Sequence, residues 1–195
     1  MPMIILGRDG VINEAPDTCV RSADEWQPLP GSIEALAALS RAGYQLVIAT
    51  NQSGLTLGRF DLDDLEAIHT RLRALVEDAG GEIAAIFYCP HGPEDHCRCR
   101  KPKPGLLEAI EAEFDTSLHG CYLLGDKLED LQLALAKGCK PVLLKSGEGE
   151  RTLKKIMAHS NPDLENTVLF ADLAQFAQFL LGGCVEDANR FPAAP

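Results

Sequence analysis

Short apolar runs recur along the chain at Met3–Leu6, Leu46–Ala49, Ile83–Tyr88, Tyr122–Leu124, Val142–Leu144 and Val168–Phe170. In each, consecutive rather than alternate positions are apolar. That pattern belongs to strands covered on both faces, as in a parallel sheet flanked by helices. Between the runs, apolar residues return every third or fourth position. Ile33, Leu36, Ala37 and Leu39 share one helical face, Leu62, Leu65, Ile68, Leu72 and Leu75 a second, and Leu173, Phe176, Ala177 and Leu180 a third. Asp61 is placed to cap the second helix and Gly80-Gly81 to stop it. This alternation predicts an α/β fold: a doubly wound, mostly parallel sheet with helices on both faces. One domain over residues 1–181 accounts for the pattern. The tail 182–195 has no clear periodicity and is expected to be loosely ordered.

In such folds ligands bind beyond the carboxyl ends of the strands. The polar segments 7–13, 50–54, 89–101 and 125–130 each follow one of the first four predicted strands. They are therefore expected to converge on one site.

Bulk properties narrow the function. The chain has 195 residues and a net charge of −11. That balance argues against nucleic-acid binding, which needs a basic face for phosphates. An anionic substrate would need a local basic pocket or a metal ion to offset the protein's own field. No run approaches the roughly 20 apolar residues of a membrane span, and the apolar start at Met1–Leu6 is too short for a secretory signal. Seven cysteines are present, three of them clustered with a histidine. Such clustering favours metal binding in a reducing compartment over disulfides. A cytoplasmic protein is expected, with no membrane partner, and its size suits a monomer.

The clustered segment reads Cys89-Pro90-His91, then Cys97-Arg98-Cys99. Three thiolates and one imidazole form a closed tetrahedral zinc set of the structural kind, with no position left for water. His96 is a rival ligand. His91 is favoured because its pairing with Cys89 mirrors that of Cys97 with Cys99. Four cations follow in the stretch Arg98-Cys99-Arg100-Lys101-Pro102-Lys103. A stiff Arg-Lys pair suits a phosphate, Arg as a fork and Lys as a point charge. Thr50-Asn51-Gln52-Ser53-Gly54 offers hydroxyl, amide and backbone N–H groups for phosphate oxygens. Gly125-Asp126 ends a strand with a carboxylate suited to Mg²⁺, and Asp130 is spaced to accept loop N–H groups. Asp17 and Thr18, in the loop after the first strand, are candidates for sugar hydroxyls. His69 and His159 are expected at the surface or in packing, and Trp26 in packing under that same loop.

Together these residues resemble the haloacid dehalogenase (HAD) superfamily of phosphatases, and within it the sugar-bisphosphate phosphatases that carry a zinc loop in place of a large cap domain. Cys89-x-His91, Cys97-x-Cys99 and Arg100-Lys101-Pro102 are the most specific part of the match, which runs from Ile4 to about Leu144. The resemblance implies Mg²⁺-dependent removal of one phosphate from a heptose bisphosphate, a step toward lipopolysaccharide. Histidinol phosphate is the alternative substrate, and a non-catalytic sugar-phosphate binder the alternative class. Asp9 would be the general acid and base, and its backbone carbonyl would join the Asp126 side chain on Mg²⁺. Thr50 and Lys101 would stabilise the transferring phosphoryl group. Arg100 would recognise the second phosphate, and Asn51, Gln52, Ser53 and Lys127 would line the sugar-phosphate site.

One position departs from the pattern. The loop Gly7-Arg8-Asp9-Gly10 carries glycine where the superfamily has the aspartate that attacks phosphorus. The expectation is a chain with the machinery of a phosphatase, an empty nucleophile position and almost no turnover.

Overall fold

The computed structural model describes residues 1–16, 19–159, 164, 167–182 and 189–190. Asp17 and Thr18 lie outside the described residues, as do Cys184 and most of the predicted tail. Seven strands form one sheet: β1 (Met3–Leu6), β2 (Gln45–Asn51), β3 (Ala85–Cys89), β4 (Tyr122–Gly125), β5 (Lys140–Leu144), β6 (Val168–Phe170) and β7 (Asn189–Arg190). Their order is β3-β2-β1-β4-β5-β6-β7. The first six run parallel, and β7 pairs antiparallel with β6. The helices are α1 (Ser32–Arg41), α2 (Leu62–Asp78), α3 (Gly105–Phe114), α4 (Leu128–Ala136), α5 (Gly149–His159) and α6 (Leu173–Leu180).

Strand side chains alternate between the sheet's two faces, and the core divides accordingly. Ile4 and Leu6 of β1 join Leu46, Ile48 and Leu124 beneath α1, α2 and α6. Met3 and Ile5 join Val47, Ala49 and Leu123 against α3 and α4. The unbroken apolar runs are thus the signature of a sheet buried on both sides. Trp26 is fully buried in the first of these clusters, as expected.

Asp61 caps α2 as predicted. Its carboxylate accepts the Asp64 N–H at 2.9 Å, and Asp64 returns the contact to the Asp61 N–H at 3.1 Å. Gly80, at φ +78°, ends the same helix.

One expectation is corrected. The third strand was predicted from Ile83 and begins at Ala85, because Ile83 is apolar for the core rather than for the ladder. The shift brings Cys89 into the strand, paired with Asn51. Within the predicted tail, Asn189 and Arg190 form the short strand β7 against β6. Among the described residues, no helix is long and apolar enough to cross a membrane.

The strand order reverses between β1 and β4, which makes the crevice beyond their carboxyl ends the switch point where ligands bind in open α/β sheets.

Candidate active site

The switch point holds a cavity of about 40 Å³ lined by Gly7, Arg8, Asp9, Thr50, Asn51, Lys101, Asp126, Lys127, Glu129 and Asp130. Four segments predicted from sequence to converge contribute to it. A neighbouring cavity of about 450 Å³, lined by His96, Arg100 and Lys103 among others, shares Lys101 and Glu129 with the first. A larger cavity, about 920 Å³, lies elsewhere, between residues 55–64 and Tyr88 and Pro90.

Asp9 sits in the loop after β1, three residues beyond the strand's end. Its carboxylate takes a fork from Arg8, with Nε and Nη2 at 3.0 and 2.9 Å from Oδ1. Asn13 Nδ2 donates to Oδ1 at 2.9 Å and Gln52 Nε2 to Oδ2 at 3.0 Å. Burial pushes this carboxyl's pKa up, but the Arg8 charge and the three sets of hydrogen bonds outweigh it, so the net shift is downward. Asp9 is held ionised.

Arg8 is 1 % exposed. Besides Asp9, it reaches Gln52 Oε1 at 3.1 Å and His69 Nε2 at 3.3 Å. Gln52 closes the network by donating to Thr50 Oγ1 at 2.8 Å.

Lys101 comes from the segment after the cysteine cluster, and its side chain is buried beside the sheet. Its ammonium donates to Asp130 Oδ1 at 2.5 Å and to the Ala49 carbonyl at 3.0 Å. Asn51 clamps its backbone, accepting the Lys101 N–H at 3.1 Å, and also donates to Glu129 at 3.2 Å. Asp130 meets its expectation at the start of α4, accepting the Lys127 N–H at 3.1 Å.

Asp126 is 2 % exposed, and its Oδ2 accepts the Glu148 N–H at 2.9 Å. Burial, with Asp130 nearby, pushes its carboxyl up to about 7, against the lowering influence of that N–H and of Lys127 and Lys101. Such a carboxylate is short of positive charge, so the donor set fits a cation. Gly10 and Gly147, both at positive φ, close on it so tightly that a Cβ at either would strike its carboxylate.

Gly7 lies between these groups. Its N–H donates to the Leu124 carbonyl at 2.9 Å. Its φ lies outside the left-handed region, and a Cβ there would meet Val11 Cγ2 at 3.0 Å and Leu124 O at 3.6 Å. A side chain fits if Val11 yields by a few tenths of an ångström.

Cys89, His91, Cys97 and Cys99 bring their donor atoms within 4.8 Å of one another. The close pairs span 3.2 to 3.7 Å. A tetrahedron with ligand bonds of about 2.3 Å has edges of roughly 3.8 Å, so the set could hold a metal ion. His96 stands outside it, exposed at the end of a one-turn 3₁₀ helix. The Arg100 guanidinium is tied back to the His91 carbonyl at 3.1 Å.

Of the described residues predicted to touch substrate, Gln52, Ser53 and Arg100 do not line this cavity, and Arg100 lines its neighbour. Gln52 is buried, with its amide spent on Arg8, Asp9 and Thr50, so it orients the site from behind. Three contributors went unnoticed in the sequence. Arg8 had a signal, a cation between an apolar strand and Asp9. Glu129 and the turn Ser146-Gly147-Glu148 had little, although that turn follows the fifth strand and Ser146 Oγ donates to the Gly10 carbonyl at 2.8 Å.

Comparison with known proteins identifies the family. Two family models match, polynucleotide kinase 3 phosphatase over residues 9–128 and HAD-hydrolase-like over residues 98–174. A D-glycero-beta-D-manno-heptose-1,7-bisphosphate 7-phosphatase of Pseudomonas putida is 50% identical over 181 residues, 93% of this chain and 100% of that protein. Its namesake in Pseudomonas aeruginosa is 51% identical, over 92% of this chain and 97% of its own. The crystal structure of the D,D-heptose 1,7-bisphosphate phosphatase of Bordetella bronchiseptica, complexed with magnesium and phosphate, superposes with a TM-score of 0.88. It is 46% identical, covering 93% of this chain and 99% of its own.

Proposed function

Because this chain belongs to the HAD-type phosphatases, in the family of the heptose bisphosphate phosphatases, we propose that its site is built to remove the 7-phosphate of D-glycero-β-D-manno-heptose 1,7-bisphosphate. The observation that carries this reading is the convergence of Asp9, Thr50, Lys101 and Asp126 on one cavity at the switch point. Lys101 and Thr50 flank the place of the transferring phosphoryl group, where positioned charge supplies most of the catalysis. Asp126 and the Asp9 carbonyl would hold Mg²⁺, which when bound offsets phosphate charge. Cys89, His91, Cys97 and Cys99 would hold structural zinc.

Asp9, held ionised, is in the form that takes a proton from water. A phosphoryl dianion beside it raises its pKa, the direction an acid needs to protonate the leaving sugar oxygen. The neighbouring cavity with Arg100, Lys103 and His96 supports a substrate with a second anionic group.

Gly7 limits the chemistry. No carboxylate stands where the nucleophile belongs, and Asp9, fixed by four donor atoms from three side chains, is not free to swing into its place. Loss of a nucleophile costs on the order of 10⁶ in turnover in a serine protease. Gly7 thus favours a second reading of this exact chain as a sugar-phosphate binder with the phosphatase frame intact.

Phosphate release from the heptose bisphosphate with Mg²⁺, measured for this chain and for Gly7→Asp, tests both. Turnover rising by at least about 10³-fold in Gly7→Asp supports the phosphatase frame with a vacated nucleophile. Equal turnover in both would show that position 7 is not the nucleophile's place. Binding without turnover in both would leave only the binder.

A further inference from the structure

His69 is the one histidine among the described residues that reaches the catalytic network, and it does so from α2, an element that supplies no residue to the cavity lining. It is 5 % exposed, with its ring against Tyr88 at a centroid distance of 6.0 Å. A guanidinium has only N–H groups to offer, so the 3.3 Å contact with Arg8 Nη1 places a lone pair on His69 Nε2 and the ring proton on Nδ1. Arg8's remaining contacts go to Asp9 and to Gln52, and Gln52 in turn holds Asp9 and Thr50. One neutral acceptor therefore ends a chain of bonds that runs from α2 to the two groups nearest the reacting atoms.

We propose that His69 is a positioning residue: it fixes the plane of the buried Arg8 guanidinium and through it the orientation of the Asp9 carboxylate and the Thr50 hydroxyl. The assignment rests on the phosphatase reading for what Asp9 and Thr50 do. A histidine that merely filled the core would need no acceptor aimed at a cation. Here the acceptor is required, because a buried guanidinium N–H without a partner is costly. The chemistry at position 69 is specific: a neutral acceptor serves, whereas a cation or an apolar side chain does not.

The test compares His69→Gln and His69→Leu in two ways. In the Gly7→Asp background, His69→Leu is expected to lower kcat about 10- to 100-fold with KM changed less than about 3-fold, the signature of misplaced rather than missing groups. His69→Gln, whose amide oxygen accepts, keeps kcat within about 3-fold. In the chain as it stands, the ¹⁵N-coupled guanidinium signals of Arg8 are expected to be slow-exchanging and dispersed. They should persist in His69→Gln and collapse in His69→Leu. A His69→Leu protein that keeps both its kcat and its Arg8 signals overturns the proposal, as does one in which Gln and Leu are equally harmful to both. If Gly7→Asp itself releases no phosphate, the phosphatase reading fails, and the Arg8 spectra still decide whether His69 fixes the guanidinium.

Discussion

The loops after β1 and β3 deliver side chains to the same cavity, and they are held by opposite means. The first, residues 7–13, is self-sufficient. Arg8 bonds Gln52 and His69, Asp9 accepts from Arg8, Asn13 and Gln52, and Val11 and Ile12 anchor the turn in the core. The second, residues 89–101, has little of this. Between Cys89 and Lys101 it buries only Gly92, and its one internal helix is a single 3₁₀ turn, Pro93–Asp95. What gathers it is a knot of one imidazole and three sulfurs. Burial, then hydrogen bonds with Cys99 and Cys97, push the Cys89 thiol up to about 12, so it becomes the thiolate that a zinc ligand must be only where a cation draws its proton off. The lesson is that one site can combine a region that specifies its own geometry with a region whose cluster could borrow it from a metal. The second delivers Lys101 and Arg100, so with a metal in that cluster the phosphate side of the cavity would depend on it and the Asp9 side would not.

The sharpest way to break this comparison is to strip the Cys/His cluster of the metal it could hold. Structural zinc in small sites contributes on the order of 10 kcal/mol of folding free energy, measured on isolated peptides. Here the strand-bound Cys89 and the helix α3 beyond the loop will retain some order, so the loss falls below that value. Chelation, or Cys99→Ser, is expected to lower the melting temperature and weaken phosphate binding at least tenfold. The Arg8–Asp9 network should keep its spectrum. If both sides of the cavity melt together in hydrogen exchange, the two regions are not independent and the comparison fails.

The next effect concerns the joint between the regions, the Lys101–Asp130 pair, with side chains 8% and 3% exposed. Removing one partner of a buried pair costs about 3–5 kcal/mol, because the other charge is left stranded. Lys101→Met should therefore destabilise the chain by about that much in urea unfolding. Lys101→Met with Asp130→Leu should recover most of it while phosphate binding stays lost. A single variant as stable as the parent would mean that the pair does not join the two regions energetically.

Much of this architecture was legible in the chain, for reasons that also mark where legibility stops. The six parallel strands announced themselves because burial on both faces makes consecutive positions at their centres apolar. The metal cluster was legible because sulfur and imidazole at close spacing have few other uses, and Asp9 and Asp126 because they end apolar runs. The beginning of β3 was not, since Ile83 is apolar for packing and apolar residues do not say which of them join a ladder. Nor was the Arg8–His69 contact, whose partners stand 61 residues apart. Such pairing is fixed by how α2 lies on the sheet, which no local pattern encodes. The turn at Ser146–Glu148 was invisible for another reason. Its role is to let backbone approach Asp126 closely, and small residues do that without any signature of chemistry.

The smallest effect probes the self-sufficient side by pH. The pKa of His69 is lowered from 6.5 to about 4, first by burial, then by the Arg8 and Arg73 charges, with Asp9 pulling the other way. The unfolded chain therefore takes up a proton at this residue more readily than the folded one. Stability from this source is fully present above about pH 6.5 and is lost as the pH falls toward 4, by about 3 kcal/mol in all. Asp126, whose folded pKa is about 7 against 3.8, contributes in the opposite sense over an overlapping range, so the raw stability curve mixes the two. The difference between the parent and His69→Gln isolates the histidine, because glutamine keeps the acceptor and cannot titrate. That difference should be flat above pH 6.5 and should swing in favour of His69→Gln as the pH drops toward 4. A difference that stays flat through the whole range would mean that the folded chain accommodates the imidazolium against Arg8, and the first loop would then be less rigidly specified than its hydrogen bonds imply.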